Sequence, residues 1–279
     1  MAAAILCEQC GYELTQLVGA VAGKGEGGAP CPECGKLVRE SVPEQRTGSP
    51  WQQAAVKGGV RGVLNKGGAW LRTMVAVITR PKATFGTMIV SDAAITNSGE
   101  RALSTRSLVW INLVLASVLA SGGGLIMLVS GFYGPEFSLS QENYGLGRDL
   151  FLAYLVLPFA LTGVLWLLCW IETVGLRTWG KRRGWRVTGD VAWSVVAHSS
   201  FGWLVVGLAA PAGLALFQFQ WFSASVAQVV RWSEAFGLNN PALAILACTC
   251  PLIGLVPGII CFEILVYIGI RRCSYANWK

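Results

Sequence analysis

Two pairs of cysteines near the N-terminus carry the clearest chemical signal in this 279-residue sequence. Cys7 and Cys10 form one Cys-x-x-Cys-Gly turn, and Cys31 and Cys34 form a second. Two intervening residues let both sulfurs of a tight turn face one ion, and the glycine that follows permits a positive φ. Four thiolates complete a tetrahedral structural zinc site and leave no open position for a catalytic water.

Iron is the alternative ion, because the same two turns resemble those of rubredoxin, an electron carrier. The aromatic core of a rubredoxin is missing from this short segment. A disulfide is a weaker alternative, since thiols paired at this spacing in a cytosolic segment favour a metal. The sequence therefore predicts a zinc ribbon, built on β-knuckles, over residues 1–40.

This ribbon is too small to fold by burying apolar surface alone. Metal binding would supply most of its folding free energy, on the order of 10 kcal/mol. Domains of this kind usually present a surface to a partner. The segment is acidic on balance, and zinc-bound thiolates add negative charge, which argues against nucleic acid as the partner. We therefore expect an unidentified protein partner.

The rest of the chain has the composition of a membrane protein. Hydrophobic residues make up 53% of the sequence and charged residues only 13%, against about 25% charged residues in soluble domains. About 20 apolar residues cross the hydrocarbon of a bilayer. Runs of sufficient length, with almost no charge, lie at 107–134, 151–171, 191–230 and 242–270.

The distribution of Lys and Arg predicts the topology. Basic residues crowd before the first run, in the loop 172–190 and in the C-terminal tail, whereas the other two loops have few. Because positive loops stay in the cytoplasm, four spans place every basic segment and both termini there. Splitting 191–230 into two spans gives five and remains the alternative. We expect an all-α transmembrane bundle over 107–279, multi-pass in the cytoplasmic (inner) membrane.

Residues 41–106 join the two parts as a basic linker with interleaved apolar clusters. No run here is long enough to span a bilayer. Apolar clusters with basic partners suit a helix lying in the membrane interface. An ordinary amphipathic helix packed on the bundle explains the pattern equally well.

Two ionisable residues fall inside predicted spans. His198 lies in the third span and Glu263 in the fourth, each about eight residues from the cytoplasmic end, or roughly 12 Å deep at 1.5 Å per residue. An intramembrane carboxylate suggests function, so a proton or ion relay is one interpretation. A packing hydrogen bond is the other, and the one we favour.

Enzymatic motifs are missing from the sequence: it contains no Gly-x-Ser-x-Gly, His-Glu-x-x-His or Walker pattern. We therefore expect a protein that is not an enzyme. The leading expectation is a scaffold or partner-recruiting, membrane-organising protein with a cytoplasmic zinc ribbon. The alternative is a small transporter or channel component that uses His198 and Glu263.

Several segments resemble known proteins. CEQCGYEL and CPECG are similar to the N-terminal zinc ribbon of many bacterial membrane proteins. RPKATFGTM (80–88), AHSSFGWLV (197–205) and FEILVYIGIRRCSYANW (262–278) resemble bacterial members of the Yip family, multi-span proteins whose eukaryotic relatives associate with Rab GTPases. The resemblance implies a multi-span membrane protein of about five spans, whereas the charge here favours four. It implies no catalytic residues.

Overall fold

Most of the chain is helical in this computed structural model. The model describes residues 5–17, 29–42, 46–54, 59–89, 103–132, 141–209 and 241–275. These described ranges contain no β-strand, only two isolated antiparallel bridges near the cysteines. The expectation of a helical fold is therefore confirmed, and the strands of a zinc ribbon are not observed in this part of the chain.

In the part of the chain that the structure describes, four helices contain most of the long apolar runs. They are α4 (Thr105–Phe132), α5 (Gln141–Arg182), α6 (Gly189–Ser199) and α7 (Pro241–Cys273). A 3-10 turn, Ser200–Trp203, follows α6, and residues 204–209 continue as helix.

Each of these helices contains a stretch long and apolar enough to cross a membrane, if α6 is taken together with the helical residues that follow it up to residue 209. The stretches are Thr105–Gly122, Leu155–Arg182, Gly189–Ala209 and Gly254–Cys273. The expectation of four helices long and apolar enough to span a membrane is thus confirmed. A fifth span, the alternative, would fall partly on residues 210–240, which lie outside the described residues.

The surface of α5 is of the kind that lipid solvates better than water. Large apolar side chains are exposed along it, among them Val156, Phe159, Trp170 and Val174. In water this much outward apolar surface would cost roughly 25 cal/mol for every square ångström left exposed. In a bilayer the same surface is solvated by acyl chains, while the helix satisfies its own backbone hydrogen bonds.

The chain divides into two compact units. The first contains Met1–Trp110, Leu168–Phe201 and Glu263–Lys279. The second contains Ile111–Leu167 and Gly202–Phe262. The cysteine-bearing segment therefore belongs to the same unit as the C-terminal part of α7.

In the first unit, three described helices lie between the cysteine-bearing segment and α4. They are α1 (Pro50–Gln53), α2 (Gly59–Thr79) and α3 (Pro81–Thr87). Ser49 caps α1 in a capping box with Gln52, whose side-chain amide also exchanges two hydrogen bonds with the backbone of Ile89. Trp51 is fully buried, and its backbone N–H donates to Thr73 Oγ1 of α2 over 2.8 Å. These contacts tie the linker to the helices.

Helix α2 buries its small residues and exposes its large ones. Gly62, Ala69, Thr73 and Val77 form the buried face. The opposite face is exposed and apolar, and it is made of Val60, Leu64, Leu71, Val75 and Ile78. The segment is thus an amphipathic helix that packs on α1 and α3 through its small residues. Its outward apolar face keeps the interpretation of an interfacial helix open.

Glycines allow the helices of the second unit to approach closely. A Cβ added to Gly202 would lie only 2.6 Å from the backbone nitrogen of Phe262. Beside this contact, the rings of Trp203 and Phe262 stack with centroids 4.7 Å apart. Only a residue without a side chain fits at position 202.

Replacing Gly202 with alanine should destabilise the second unit. The new methyl group meets a backbone atom that cannot rotate away, so we expect a loss of about 1–3 kcal/mol, as for other overpacked cores. Thermal unfolding of the purified protein in detergent measures the change.

Gly163→Ala is the matched control, because Gly163 lies in α5 with nothing within 4 Å of its added Cβ. Alanine there should be neutral or stabilising by up to about 1 kcal/mol. Equal melting temperatures for the two variants would contradict the close approach at Gly202.

Candidate metal centre

The two cysteine turns have the same local structure. In the first, the Gly11 N–H donates to the Cys7 carbonyl over 2.8 Å, and in the second, the Gly35 N–H donates to the Cys31 carbonyl over 2.9 Å. Both glycines have a positive φ, +79° and +72°. An L-residue pays for this left-handed conformation, which explains why glycine follows each second cysteine.

A single antiparallel bridge closes each turn. Leu6 pairs with Glu13, and Pro30 pairs with Leu37. The flanking residues are extended but do not form a ladder long enough to make a strand. Each turn is therefore a knuckle held by its own backbone, and the contacts between the two knuckles come from their side chains.

The four sulfurs meet between the two knuckles. Cys7 Sγ lies 3.5 Å from Cys34 Sγ, and Cys10 Sγ lies 3.6 Å from Cys31 Sγ. All four sulfurs lie within 4.8 Å of one another. A disulfide would bring two sulfurs to about 2.05 Å, so the cysteines are not paired in that way. In a zinc tetrathiolate with bonds of about 2.3 Å, the sulfurs would be separated by about 3.8 Å.

The donor set therefore fits a tetrahedral metal ion. This geometry is compatible with zinc and does not single zinc out, because iron takes the same four thiolates. Cys7, Cys10, Cys31 and Cys34 would hold the ion. Once all four bind, none of its positions is left for a substrate.

The thiols differ in how readily they lose a proton. Burial raises the pKa of Cys10 and of Cys34. Burial also acts to raise the pKa of Cys7, but hydrogen bonds from the backbone N–H groups of Cys10 and Gln9 outweigh it and lower the pKa overall. Metals bind thiolates, so binding must release the remaining protons.

A small apolar cluster supports the knuckles. Leu14, Val38 and Val42 are buried together with Cys7 and Cys31. Five buried residues are few for a core, and domains this small usually need a metal or a disulfide in addition. The cluster therefore agrees with a metal that contributes to folding.

A buried carboxylate lies beside the first knuckle. Glu8 is only 1% exposed, and its two oxygens contact Lys36 and Arg46. The Lys36 Nζ lies 3.4 Å from Glu8 Oε2, and Lys36 itself is 3% exposed. A charge buried this deeply is tolerated only when it is paired, because desolvation costs several kcal/mol per ion.

The same residues attach the knuckles to the end of α7. The Tyr275 N–H donates to the Glu8 carbonyl over 2.9 Å, and Lys36 donates to the Arg272 carbonyl over 3.1 Å. Arg272 in turn donates to Gln9 Oε1 over 2.8 Å. Glu8 and Gln9, the two residues between Cys7 and Cys10, therefore both form hydrogen bonds with residues at the end of α7 or just after it.

The charges at this junction balance when the metal is present. A divalent ion with four thiolates has a formal charge of −2, and Glu8 adds one more negative charge. Lys36, Arg46 and Arg272 supply three positive charges around them. Without the ion and with neutral thiols, the junction would hold an excess of positive charge around the buried Glu8 and Lys36.

The two ionisable residues predicted inside spans, His198 and Glu263, have different surroundings. His198 is fully buried, with Nδ1 2.9 Å from the Ser194 carbonyl and Nε2 2.8 Å from Ser49 Oγ. A carbonyl only accepts, so Nδ1 carries the proton and a neutral imidazole accepts from the Ser49 hydroxyl.

Glu263 does not share these contacts. It lies on the exposed surface of α7, close enough to Glu172 of α5 for the two carboxyl groups to interact electrostatically. No hydrogen bond between Glu263 and His198 is found in the described ranges, and both ring nitrogens of His198 have other partners. The geometry of His198 is that of a packing hydrogen bond.

Sequence reasoning found the four cysteines but missed the residues that attach them to the helices. Glu8, Lys36, Arg46 and Arg272 are charged residues of the types expected at a surface. Glu8 and Lys36 are buried, and Arg46 and Arg272 partly so, through contacts between distant parts of the chain. The one available signal was the position of Glu8 and Gln9 between two ligands, where side chains must project from the knuckle.

Comparison of the chain with protein-family models, curated proteins and solved structures finds no match.

The glycines of the two knuckles offer a direct test of the attachment. Alanine at Gly35 should cost about 1–2 kcal/mol through backbone strain alone, since nothing lies within 4 Å of the added Cβ. Alanine at Gly11 should cost more, because its Cβ would also lie 3.1 Å from the Tyr275 ring. Thermal unfolding with metal bound, and the rate of metal loss to a chelator, compare the two. Equal losses would contradict contact of the first knuckle with Tyr275.

The hydrogen bond between His198 and Ser49 can be measured by a double-mutant cycle. We expect Ser49→Ala to cost about 0.5–2 kcal/mol, because it also removes the cap of α1. With His198→Phe, the coupling energy should be about 0.5–3 kcal/mol, as for residues in contact. Additive effects on the free energy of unfolding would mean that the two side chains do not interact.

Proposed function

We propose that the chain is a non-enzymatic integral membrane scaffold whose four-cysteine zinc ribbon clamps the N-terminal segment to the last helix and recruits a protein partner. The convergence of four sulfurs around one position carries this proposal. Because a filled site offers no open coordination position, its role is structural. Binding to a partner then falls to the exposed surface of the ribbon.

The two knuckles are suited to different tasks. The first contacts Arg272 and Tyr275 through Glu8 and Gln9 and is committed to the chain itself. In the second, Pro32 and Glu33 between the ligands are exposed. We place the partner-binding surface on this second knuckle. Among the described residues, no hydrogen bond joins Pro32 or Glu33 to α7.

The charge distribution supports a cytoplasmic position for the ribbon. The first unit contains 20 of the 22 Lys and Arg residues, and the second contains only Arg148 and Arg231. Positive segments are retained in the cytoplasm. The proposal therefore puts both termini and the ribbon on the cytoplasmic side of the inner membrane.

Membership of the Yip family is part of the same proposal. It rests on the segments 80–88, 197–205 and 262–278, which contribute α3, the end of α6 and the end of α7. A family of multi-span proteins that associate with cytoplasmic partners is consistent with a scaffold.

The main experiment compares two variants of the full-length protein in solubilised membranes. Cys31→Ser/Cys34→Ser removes two ligands, so we expect loss of the metal and of any partner captured with the wild-type protein. Pro32→Ala/Glu33→Lys keeps all four ligands and should retain the metal but lose the partner. Elemental analysis and cross-linking followed by mass spectrometry give the two readouts.

The second variant separates the two parts of the proposal. If it retains both the metal and the same partner, recruitment by the second knuckle is wrong while the structural metal stands. If the purified wild-type protein contains stoichiometric iron and an iron absorption band, the redox alternative replaces zinc.

The transport alternative is tested through Glu263. The proposal predicts that Glu263→Gln leaves proton or ion flux across liposomes unchanged, because the exposed carboxylate has no contact with His198. A flux that depends on both Glu263 and His198 would favour the transporter.

A further inference from the structure

An exposed turn at the end of α5 combines cations with tryptophans. Residues 179–186, which we call the Trp-Arg turn, contain Trp179, Trp185 and four cations. The cations are all exposed: they are Lys181, Arg182, Arg183 and Arg186. Nothing in the metal centre or the proposed scaffold role uses this turn.

The backbone of the turn is fixed by a helix-ending motif. The Trp185 N–H donates to the Gly180 carbonyl over 2.9 Å, and the Gly184 N–H donates to the Lys181 carbonyl over 3.2 Å. With Gly184 at φ +71°, this is the Schellman pattern that satisfies the last carbonyls of a helix. The Arg186 N–H also donates to Ser274 over 2.8 Å. The cations are therefore presented by a well-defined turn.

The two tryptophans flank one arginine. The Arg183 guanidinium lies 4.6 Å from the centre of the Trp179 ring and 5.4 Å from that of Trp185. Stacking of this kind is a cation–π interaction that orients the guanidinium. Trp179 is nevertheless 58% exposed, so its ring still faces the surroundings. An oriented guanidinium presents paired N–H donors that match the oxygens of a phosphate.

The cations of the turn lack acidic neighbours. Among the described residues, none of the four lies within 4.0 Å of a carboxylate. Their charge is therefore available to an external anion. Several unneutralised cations close together raise the local concentration of anions.

The position of the turn along α5 indicates which anion it meets. The candidate span Leu155–Arg182 is 28 residues long, whereas about 20 residues cross the hydrocarbon. The remaining residues, about one-third of the stretch, lie at its C-terminal end, where the basic residues begin with Arg177 and Lys181. The turn then falls at the depth of lipid headgroups, where tryptophan and arginine are both favoured.

We propose that the Trp-Arg turn binds the phosphate of an anionic phospholipid headgroup. Arg183, held between Trp179 and Trp185, donates to the phosphate, and Lys181, Arg182 and Arg186 supply the surrounding positive charge. The exposed Trp179 ring then lies at the boundary between the headgroups and the acyl chains. The site therefore selects anionic over zwitterionic lipids. This binding does not depend on which side of the membrane the turn faces.

Native mass spectrometry of the full-length protein in detergent, titrated with phosphatidylglycerol or phosphatidylcholine of identical acyl chains, tests the proposal. The wild-type protein should retain phosphatidylglycerol preferentially, and Lys181→Gln/Arg182→Gln/Arg186→Gln should lower its retention roughly tenfold or more. Retention of phosphatidylcholine should not change. Equal retention of both lipids by the wild-type protein would overturn the site.

A matched control removes the same charge elsewhere. Arg61→Gln/Arg72→Gln/Arg80→Gln on and beside α2 deletes three exposed cations and should leave the preference intact. If it lowers retention equally, net charge and not the turn is responsible, and the proposal fails. Displacement of the lipid by excess inorganic phosphate would show a soluble-anion site, which also contradicts a lipid site.

A second variant keeps all the charged residues, so it cannot change lipid binding by altering how the chain is oriented in the membrane. Trp179→Leu/Trp185→Leu frees Arg183 and should weaken phosphatidylglycerol retention severalfold while metal content stays unchanged. Unaltered retention would mean that the two rings do not position Arg183 for the phosphate.

Discussion

The buried carboxylate of Glu8 is the contact on which the first unit depends. It joins three parts of the chain through Lys36 of the second knuckle, Arg46 of the linker and, through its backbone, Tyr275 after α7. An unpaired carboxylate in this position would be strongly destabilising, whereas the paired one fixes which surfaces meet. The four-cysteine cluster and the end of α7 are thus parts of one structure, and a divalent ion held by the cysteines would complete the charge balance at their junction.

The sequence was informative where the signal was local. The spacing of Cys7, Cys10, Cys31 and Cys34 was enough to predict a metal site, because the two cysteines of each pair lie in a single turn. Lack of charge identified the four apolar helices in the same way, since a bilayer imposes a length and a composition on each segment by itself. Both predictions needed no knowledge of what the segments touch.

The attachments were beyond sequence reasoning because they are non-local. Lys36 and Arg272 are separated by 236 residues, and Ser49 and His198 by 149. Nothing in the sequence pattern singled out Lys36 or Arg46, and for His198 the sequence offered only Glu263, in another predicted span, as an ionisable neighbour. In the structure the partner of His198 comes from the linker. The strands expected for a ribbon did not appear in the described residues either, since hydrogen bonds within each knuckle satisfy the backbone without a longer ladder.

The docking of the first knuckle on Arg272 and Tyr275 also sets an order for biosynthesis. The knuckles close over a short loop and can take up metal soon after they leave the ribosome, since short loops form quickly. Their docking site includes Arg272, which follows Lys36 by 236 residues in the chain. The first knuckle must therefore remain undocked until the apolar helices between these residues have been synthesised, and a chain truncated before residue 272 would carry a folded knuckle without its docking site.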